Sequence, residues 1–131
     1  MKKTLHILGF LTALSLSLFG SGNALAASLI IEVPDNPEPT TQTISYQCDT
    51  KTGKERVEAT YLDAGNISLV DFRWKGERVL AANVIADTGK KYEGEWYVWW
   101  KMNDEVTLYD HLRDPERKAP IRCKDESTLL F

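Results

Sequence analysis

The chain is poor in the residues that carry acid–base and metal chemistry. Its 131 residues include only two histidines, His6 and His111, and two cysteines, Cys48 and Cys123. No G-x-S-x-G or H-E-x-x-H pattern accompanies them, so no catalytic residue, metal ligand or cofactor is assigned. Adjacent acids occur at Asp104-Glu105 and Asp125-Glu126, but neighbouring carboxylates at a turn are ordinary surface chemistry unless their surroundings drive the two pKa values apart. A glycan hydrolase working through Asp104 and Glu105 would therefore have no motif behind it. Positive charge is also scarce: 16 Lys and Arg face 19 Asp and Glu, a net charge of −3. That balance argues against a nucleic-acid partner and suits a basic protein partner. No segment keeps a helical period, and no apolar run reaches the roughly 20 residues that span a bilayer.

What is present begins with an export signal. Met1-Lys2-Lys3 precedes an apolar segment from Leu5 to Phe19 and then Ala24-Leu25-Ala26, the n-region, h-region and A-x-A pattern of a secretory signal peptide. Residues 1–26 are expected to be removed on export to the periplasm, leaving a soluble chain from Ala27. The expected cleavage site has no cysteine to carry a lipid, so no membrane anchor is expected. Loss of Lys2 and Lys3 takes the net charge to about −5. About 105 residues remain, enough for one domain with a modest core.

The two cysteines lie near opposite ends of that domain, and an oxidising compartment favours their union as a disulfide. A metal site would want more Cys and His than Cys48, Cys123 and His111 supply, and a redox pair is more often spaced C-x-x-C. Residues 27–41, with Pro34, Pro37 and Pro39 among acids, form an extended arm. From about residue 42 to 124 the pattern becomes short alternating runs broken by turn residues, and 125–131 is read as a C-terminal tail. Strands are expected at Ile44 to Cys48, Val57 to Tyr61, Ile67 to Trp74, Arg78 to Ile85, Glu95 to Met102, Val106 to Tyr109 and Lys118 to Cys123. Seven or eight strands at spacings near ten residues predict an all-β fold, a small antiparallel barrel or sandwich. Barrel closure would protect the strand edges, and the expected state is a monomer or weak dimer.

The strongest bias lies between Thr88 and Leu108, which holds three of the four tryptophans and two of the five tyrosines. Strand alternation puts Trp96, Val98 and Trp100 on one face and Tyr97 and Trp99 on the other. Both faces are apolar, so one must meet a covering loop or a partner. Just before this strand, Asp87-Thr88-Gly89-Lys90-Lys91-Tyr92 reads as a cationic loop in which Gly89 permits an unusual backbone and Thr88 offers a hydroxyl. A solvated hairpin loop would also account for it. Lys101, which follows the tryptophans directly, could lay its stem over Trp99 with the ammonium in water.

An early I-S-Y-x-C, the T-G-x-x-Y loop, W-W-K followed by D-E-V-T-L, and a late cysteine together resemble the membrane-bound and periplasmic inhibitors of c-type lysozyme. The likeness runs from about Ile44 to Cys123. It implies an eight-stranded antiparallel barrel that inserts loop residues into the lysozyme cleft, with Thr88, Gly89 and Tyr92 matching an S-G-x-x-Y loop and Lys101 closing the aromatic strand. Lys90, which flanks that loop, joins Thr88, Gly89, Tyr92 and Lys101 as a candidate contact with c-type lysozyme. Two departures bear on affinity and preference: Thr88 stands in place of the usual serine, and Met102-Asn103 follows the lysine where glycine is common. The implied mechanism pairs Thr88 with one catalytic carboxyl and Lys101 with the other, while Tyr92 braces the loop from beneath. The rival expectation is an exported barrel or adhesin whose aromatic face binds a glycan or a small apolar ligand.

Overall fold

In the computed structural model, residues 26–34 and 38–130 are described. The expected signal peptide, save Ala26, and Pro37 of the arm lie outside the described residues. Residues 26–32 carry no helix or strand, and Val33–Phe131 forms a separate unit.

Eight strands follow one another in the second unit: β1 (Thr40–Thr50), β2 (Gly53–Ala64), β3 (Ile67–Trp74), β4 (Glu77–Val84), β5 (Lys90–Gly94), β6 (Tyr97–Met102), β7 (Glu105–Asp110) and β8 (Ile121–Asp125). Each pairs antiparallel with the next, and β8 returns to β1, so the sheet is a closed up-and-down barrel. Closure gives each strand a partner on both sides, where an open sheet would leave two edge strands exposed. The antiparallel order gathers the turns at two mouths. One mouth carries the β2–β3 turn, the loop from Ile85 to Gly89 and the β6–β7 turn; the other carries the β1–β2, β3–β4 and β5–β6 turns and the loop from His111 to Pro120.

The alternation in the sequence becomes the inward row of each strand. Tyr46 and Cys48, Val57, Ala59 and Tyr61, Val70, Phe72 and Trp74, Val79 and Ala81, Tyr92, Tyr97 and Trp99, and Val106 and Leu108 fill the barrel. Trp99 lies at the centre: it stacks on Phe72 at 4.5 Å and meets Tyr46 edge-on at 5.4 Å between ring centroids. Its polar end is satisfied, because Nε1 donates to Tyr61 Oη at 2.9 Å, and the Tyr61 and Tyr46 hydroxyls lie 2.8 Å apart. Burial pushes the Tyr46 phenol up to about 12 and raises Tyr61 as well, so both rings stay neutral and able to hydrogen-bond.

The structure moves several expected boundaries. Lys90–Gly94, read as part of a loop, is the short strand β5. Gly94 explains why the chain can lie there: a Cβ at that position would meet the Leu80 carbonyl oxygen at 2.5 Å. The aromatic strand starts at Tyr97, because Glu95, at φ 52°, and Trp96 make the turn from β5. The last strand starts at Ile121, not Lys118. Asp114 accepts the backbone N–H groups of Lys118 and Ala119 at 2.9 and 2.8 Å and curls that segment away from the sheet. Residues after Asp125 are no free tail, since Glu126–Leu130 forms a 3-10 turn whose Glu126 pairs with Arg56 at 2.8 Å.

Two buried features tie the barrel together. Cys48 and Cys123 are bonded, and they face each other across the β1–β8 seam, where pairing runs only from Tyr46 to Asp49 on β1. The second is Asp110, which is nearly inaccessible. It accepts from Trp74 Nε1 at 2.9 Å, from Arg113 Nη1 at 2.8 Å and from the backbone N–H groups of Leu112 and Arg113. Burial works to raise its pKa, but hydrogen bonds from Arg113 and Trp74 outweigh it and leave the carboxyl below its ordinary value.

Replacing both cysteines by alanine should lower unfolding free energy by roughly 4 kcal/mol, the chain-entropy value for a closed loop of this length. Urea unfolding measures it, and an unchanged midpoint would mean the seam holds without the bond. The depressed Asp110 pKa gives a second expectation. Its contribution is complete above the unfolded carboxylate value and is lost as pH falls through the lower folded value. Melting temperature below about pH 4 should therefore fall more steeply in the native protein than in Asp110→Asn, and parallel slopes would remove Asp110 from the acid response.

Candidate functional site

Strand β6 sets the candidate site through three consecutive residues. Because Trp99 points into the barrel, Trp100 points out and Lys101 points in again, at the end of the strand where the barrel opens. Each of the residues from Trp100 to Met102 holds part of the preceding loop. Trp100 Nε1 donates to the Thr88 carbonyl oxygen at 2.9 Å. Gly89, at φ 66°, lies against the Lys101 carbonyl, where an added Cβ would be 2.5 Å from the oxygen and 2.6 Å from Met102 Cγ. The Thr88 hydroxyl donates to Met102 Sδ at 3.5 Å. The Lys91 ammonium lies 4.9 Å from the centre of the Trp100 ring, so the outer aromatic face is covered in part by the loop and its lysine.

These contacts place Thr88, Gly89, Lys90 and Lys101 together on one rim. Lys90 and Lys101 are directly opposed in the β5–β6 ladder, an arrangement of like charges that is unfavourable by itself. Among the described residues neither has a carboxylate within ion-pair distance. Neighbouring cations are occupied differently: Lys91 pairs with Glu93 and Arg122 with Glu105. The Lys101 ammonium instead rests 5.7 Å from the centre of the Tyr61 ring, at the barrel mouth. Asp87 and Asp104 stand in neighbouring loops at the same mouth, and neither reaches these ammonium groups.

Tyr92 is placed differently from the other candidates. Its side chain is 1% exposed, tilts against Tyr61 at 5.9 Å and shares a hydrogen bond with Ser68 at 3.2 Å. Expected among the contact residues, it offers a partner no surface. Trp96, 55% exposed, lies at the opposite mouth, where the His111 backbone N–H donates to its carbonyl oxygen. Two features of the rim were not read from the sequence. The indole clamp of Trp100 follows from strand parity and could have been anticipated; the Thr88–Met102 contact joins residues fourteen apart and left no signal. Among the described residues, no group of three or more His, Cys, Asp or Glu is placed to hold a metal ion.

The family model for membrane-bound lysozyme-inhibitor of c-type lysozyme matches residues 46–117. The chain belongs to this family. The match takes in β5, β6 and the whole rim. Two curated relatives carry the name membrane-bound lysozyme inhibitor of C-type lysozyme. That from Cupriavidus necator is 33% identical over 82 residues, which is 63% of this chain and 62% of the relative. That from Pseudomonas aeruginosa is 28% identical over 131 residues, 95% of this chain and 99% of the relative. The crystal structure of Pseudomonas aeruginosa MliC in complex with hen egg white lysozyme superposes with a TM-score of 0.61 at 25% identity, covering 78% of this chain and 99% of that chain. The family consists of inhibitor proteins rather than enzymes, and Glu105, bound to Arg122, together with the exposed turn residue Asp104 gives no acid–base pair here.

Gly89 is the residue on which loop placement most depends, because its conformation and its clearance both exclude a side chain. Gly89→Ala should cost about 1–3 kcal/mol of stability and lift the loop from β6. Urea unfolding checks the first, and faster exchange of the Trp100 indole N–H, which donates to the Thr88 carbonyl oxygen, checks the second. Native-like values in both would show that the loop is not held by this contact.

Proposed function

We propose that this protein is an exported, periplasmic inhibitor of c-type lysozyme that blocks the catalytic cleft with the Thr88–Gly89 loop and Lys101. The observation that carries the reading is the pair of lysines on the rim, opposed to one another and without a carboxylate, beside an exposed threonine hydroxyl. A glycosidase cleft supplies what they lack: a carboxylic acid and a carboxylate flank the scissile bond. Thr88 donates to one, Lys101 pairs with the other, and Lys90 adds charge at the edge. Each contact strengthens as water leaves the cleft. Family membership and the lysozyme complex of the Pseudomonas aeruginosa relative support the choice of partner.

The rest of the molecule supports a protein blocker over a ligand carrier. Barrel interiors that hold a ligand must be hollow, whereas this one is filled by Trp99, Phe72, Tyr46, Tyr61 and Tyr92. A concavity of about 620 Å³ opens at the other mouth, around Trp74, Lys75, Arg113 and Pro120, far along the strands from Lys101. The form proposed is soluble and periplasmic, a monomer or weak dimer, with both cysteines held in the disulfide. The acidic overall charge speeds encounter with a basic enzyme, an effect weakened by salt.

The test is the rate of cell-wall lysis by a c-type lysozyme against increasing mature protein. Thr88→Ala and Lys101→Ala should each weaken inhibition by on the order of 2 kcal/mol, about thirtyfold, with the fold unchanged by circular dichroism. Full inhibition by Lys101→Ala would sink that residue's assignment, and absence of inhibition by the native chain would sink the function.

A further inference from the structure

We infer that Met102 is a positioning residue for the Thr88 hydroxyl and that it places the inhibitory rim under oxidative control. This rests on the inhibitor reading above. In the free protein the Thr88 hydroxyl donates to Met102 Sδ at 3.5 Å. A thioether is a weak acceptor, so it orients the proton across the rim and gives it up readily to a carboxylate. The methionine side chain is 44% exposed, and its Cγ lies against Gly89, so it forms part of the surface that a partner covers. Met102 is also the chain's one methionine besides Met1, which leaves a single thioether in the mature protein.

Those facts make the sulfur a chemical switch. Hydrogen peroxide or another two-electron peroxide transfers one oxygen atom to Sδ. The sulfur lone pair forms the S–O bond, the O–O bond breaks, and the second oxygen leaves as water when hydrogen peroxide is the oxidant. The sulfur loses two electrons and the peroxide gains them. The sulfoxide oxygen is a strong acceptor carrying partial negative charge, set beside the hydroxyl that must donate to lysozyme. It competes for that proton and brings an added polar group into the contact that Gly89 keeps tight. Methionine sulfoxide reductases reverse the change, taking two electrons from a dithiol, which becomes a disulfide, and releasing water.

The experiment treats the mature protein with hydrogen peroxide, removes the oxidant with catalase, and verifies one added oxygen on Met102 by mass spectrometry. Lysozyme is added only then. Inhibition should weaken roughly tenfold or more, with an unchanged circular dichroism spectrum, and return after incubation with both reductase stereotypes and a dithiol. Met102→Leu keeps the volume but removes the acceptor that orients the Thr88 hydroxyl, so before oxidation it should inhibit roughly threefold less well than the native protein and be indifferent to peroxide. Equal inhibition before and after complete oxidation would overturn the inference and leave the inhibitor reading standing. So would a Met102→Leu variant that inhibits fully as well as the native protein before oxidation, or one that peroxide weakens as much. Failure of the untreated native protein to inhibit would overturn both.

Discussion

The position of Trp99 is the constraint from which the rest of the molecule follows. A barrel of eight short strands has to be filled, and the filling here is one indole stacked on Phe72, met edge-on by Tyr46 and hydrogen-bonded to Tyr61. Those partners come from β1, β2 and β3, so a single side chain from β6 links strands that are not its neighbours. A slip of one residue would expel Trp99 and turn Trp100 inward. With Trp99 fixed, Trp100 must clamp the loop from outside and Lys101 must arrive at the mouth with its side chain inward. The rim is thus a consequence of the core, and Tyr92, buried against Tyr61, belongs to both.

The core's polar tips give that constraint its specificity. Tyrosine and tryptophan bring large apolar surfaces, but each also carries a donor that must be satisfied in the absence of water. Tyr61 accepts from Trp99 and meets Tyr46, while Trp74 donates to Asp110. These bonds favour one packing over the many that a purely aliphatic filling would allow. The Cys48–Cys123 bond does something different: it holds the β1–β8 seam, where the ladder is short and β8 itself has only five residues.

Much of this was legible because a half-buried strand writes its register into the sequence. Tyr46 and Cys48, Val57, Ala59 and Tyr61, and Phe72 and Trp74 alternate with polar residues, and all of them face inward. The failures have physical causes. Strand β5 was missed because it is five residues long and puts one apolar side chain, Tyr92, into the core; the rest of Lys90–Gly94 looks like a solvated loop. Glu95 and Trp96 did not read as a turn, since neither is a residue that favours the left-handed backbone found at Glu95. At the rim the motif identified Thr88, Gly89 and Lys101, and the geometry brings them together. The link from Thr88 to Met102 could not be read, because it depends on how a β4–β5 loop settles against the far end of β6.

The rim's electrostatics make sense only in relation to what is absent from the chain itself. Lys90 and Lys101 oppose each other with no carboxylate in ion-pair distance among the described residues, a mild cost in the free protein borne by a barrel stabilised elsewhere, at the disulfide seam and the Trp99 cluster. A nearby acid would relieve that cost, but it would also have to be displaced before the lysines could meet another carboxylate. On the proposed reading, leaving the cations unpaired would keep their interaction in reserve for binding. The whole-chain charge has the opposite sign, and the two act over different distances. The acidic surface acts over the Debye length, about 8 Å at physiological salt, and on the proposed reading would draw in a basic enzyme. On the proposed reading the lysines and the Thr88 hydroxyl would act in contact, where water has left and salt screens weakly. An enzyme that is basic outside and acidic within its cleft meets both conditions, which is the physical ground for placing the lysozyme cleft against this mouth of the barrel.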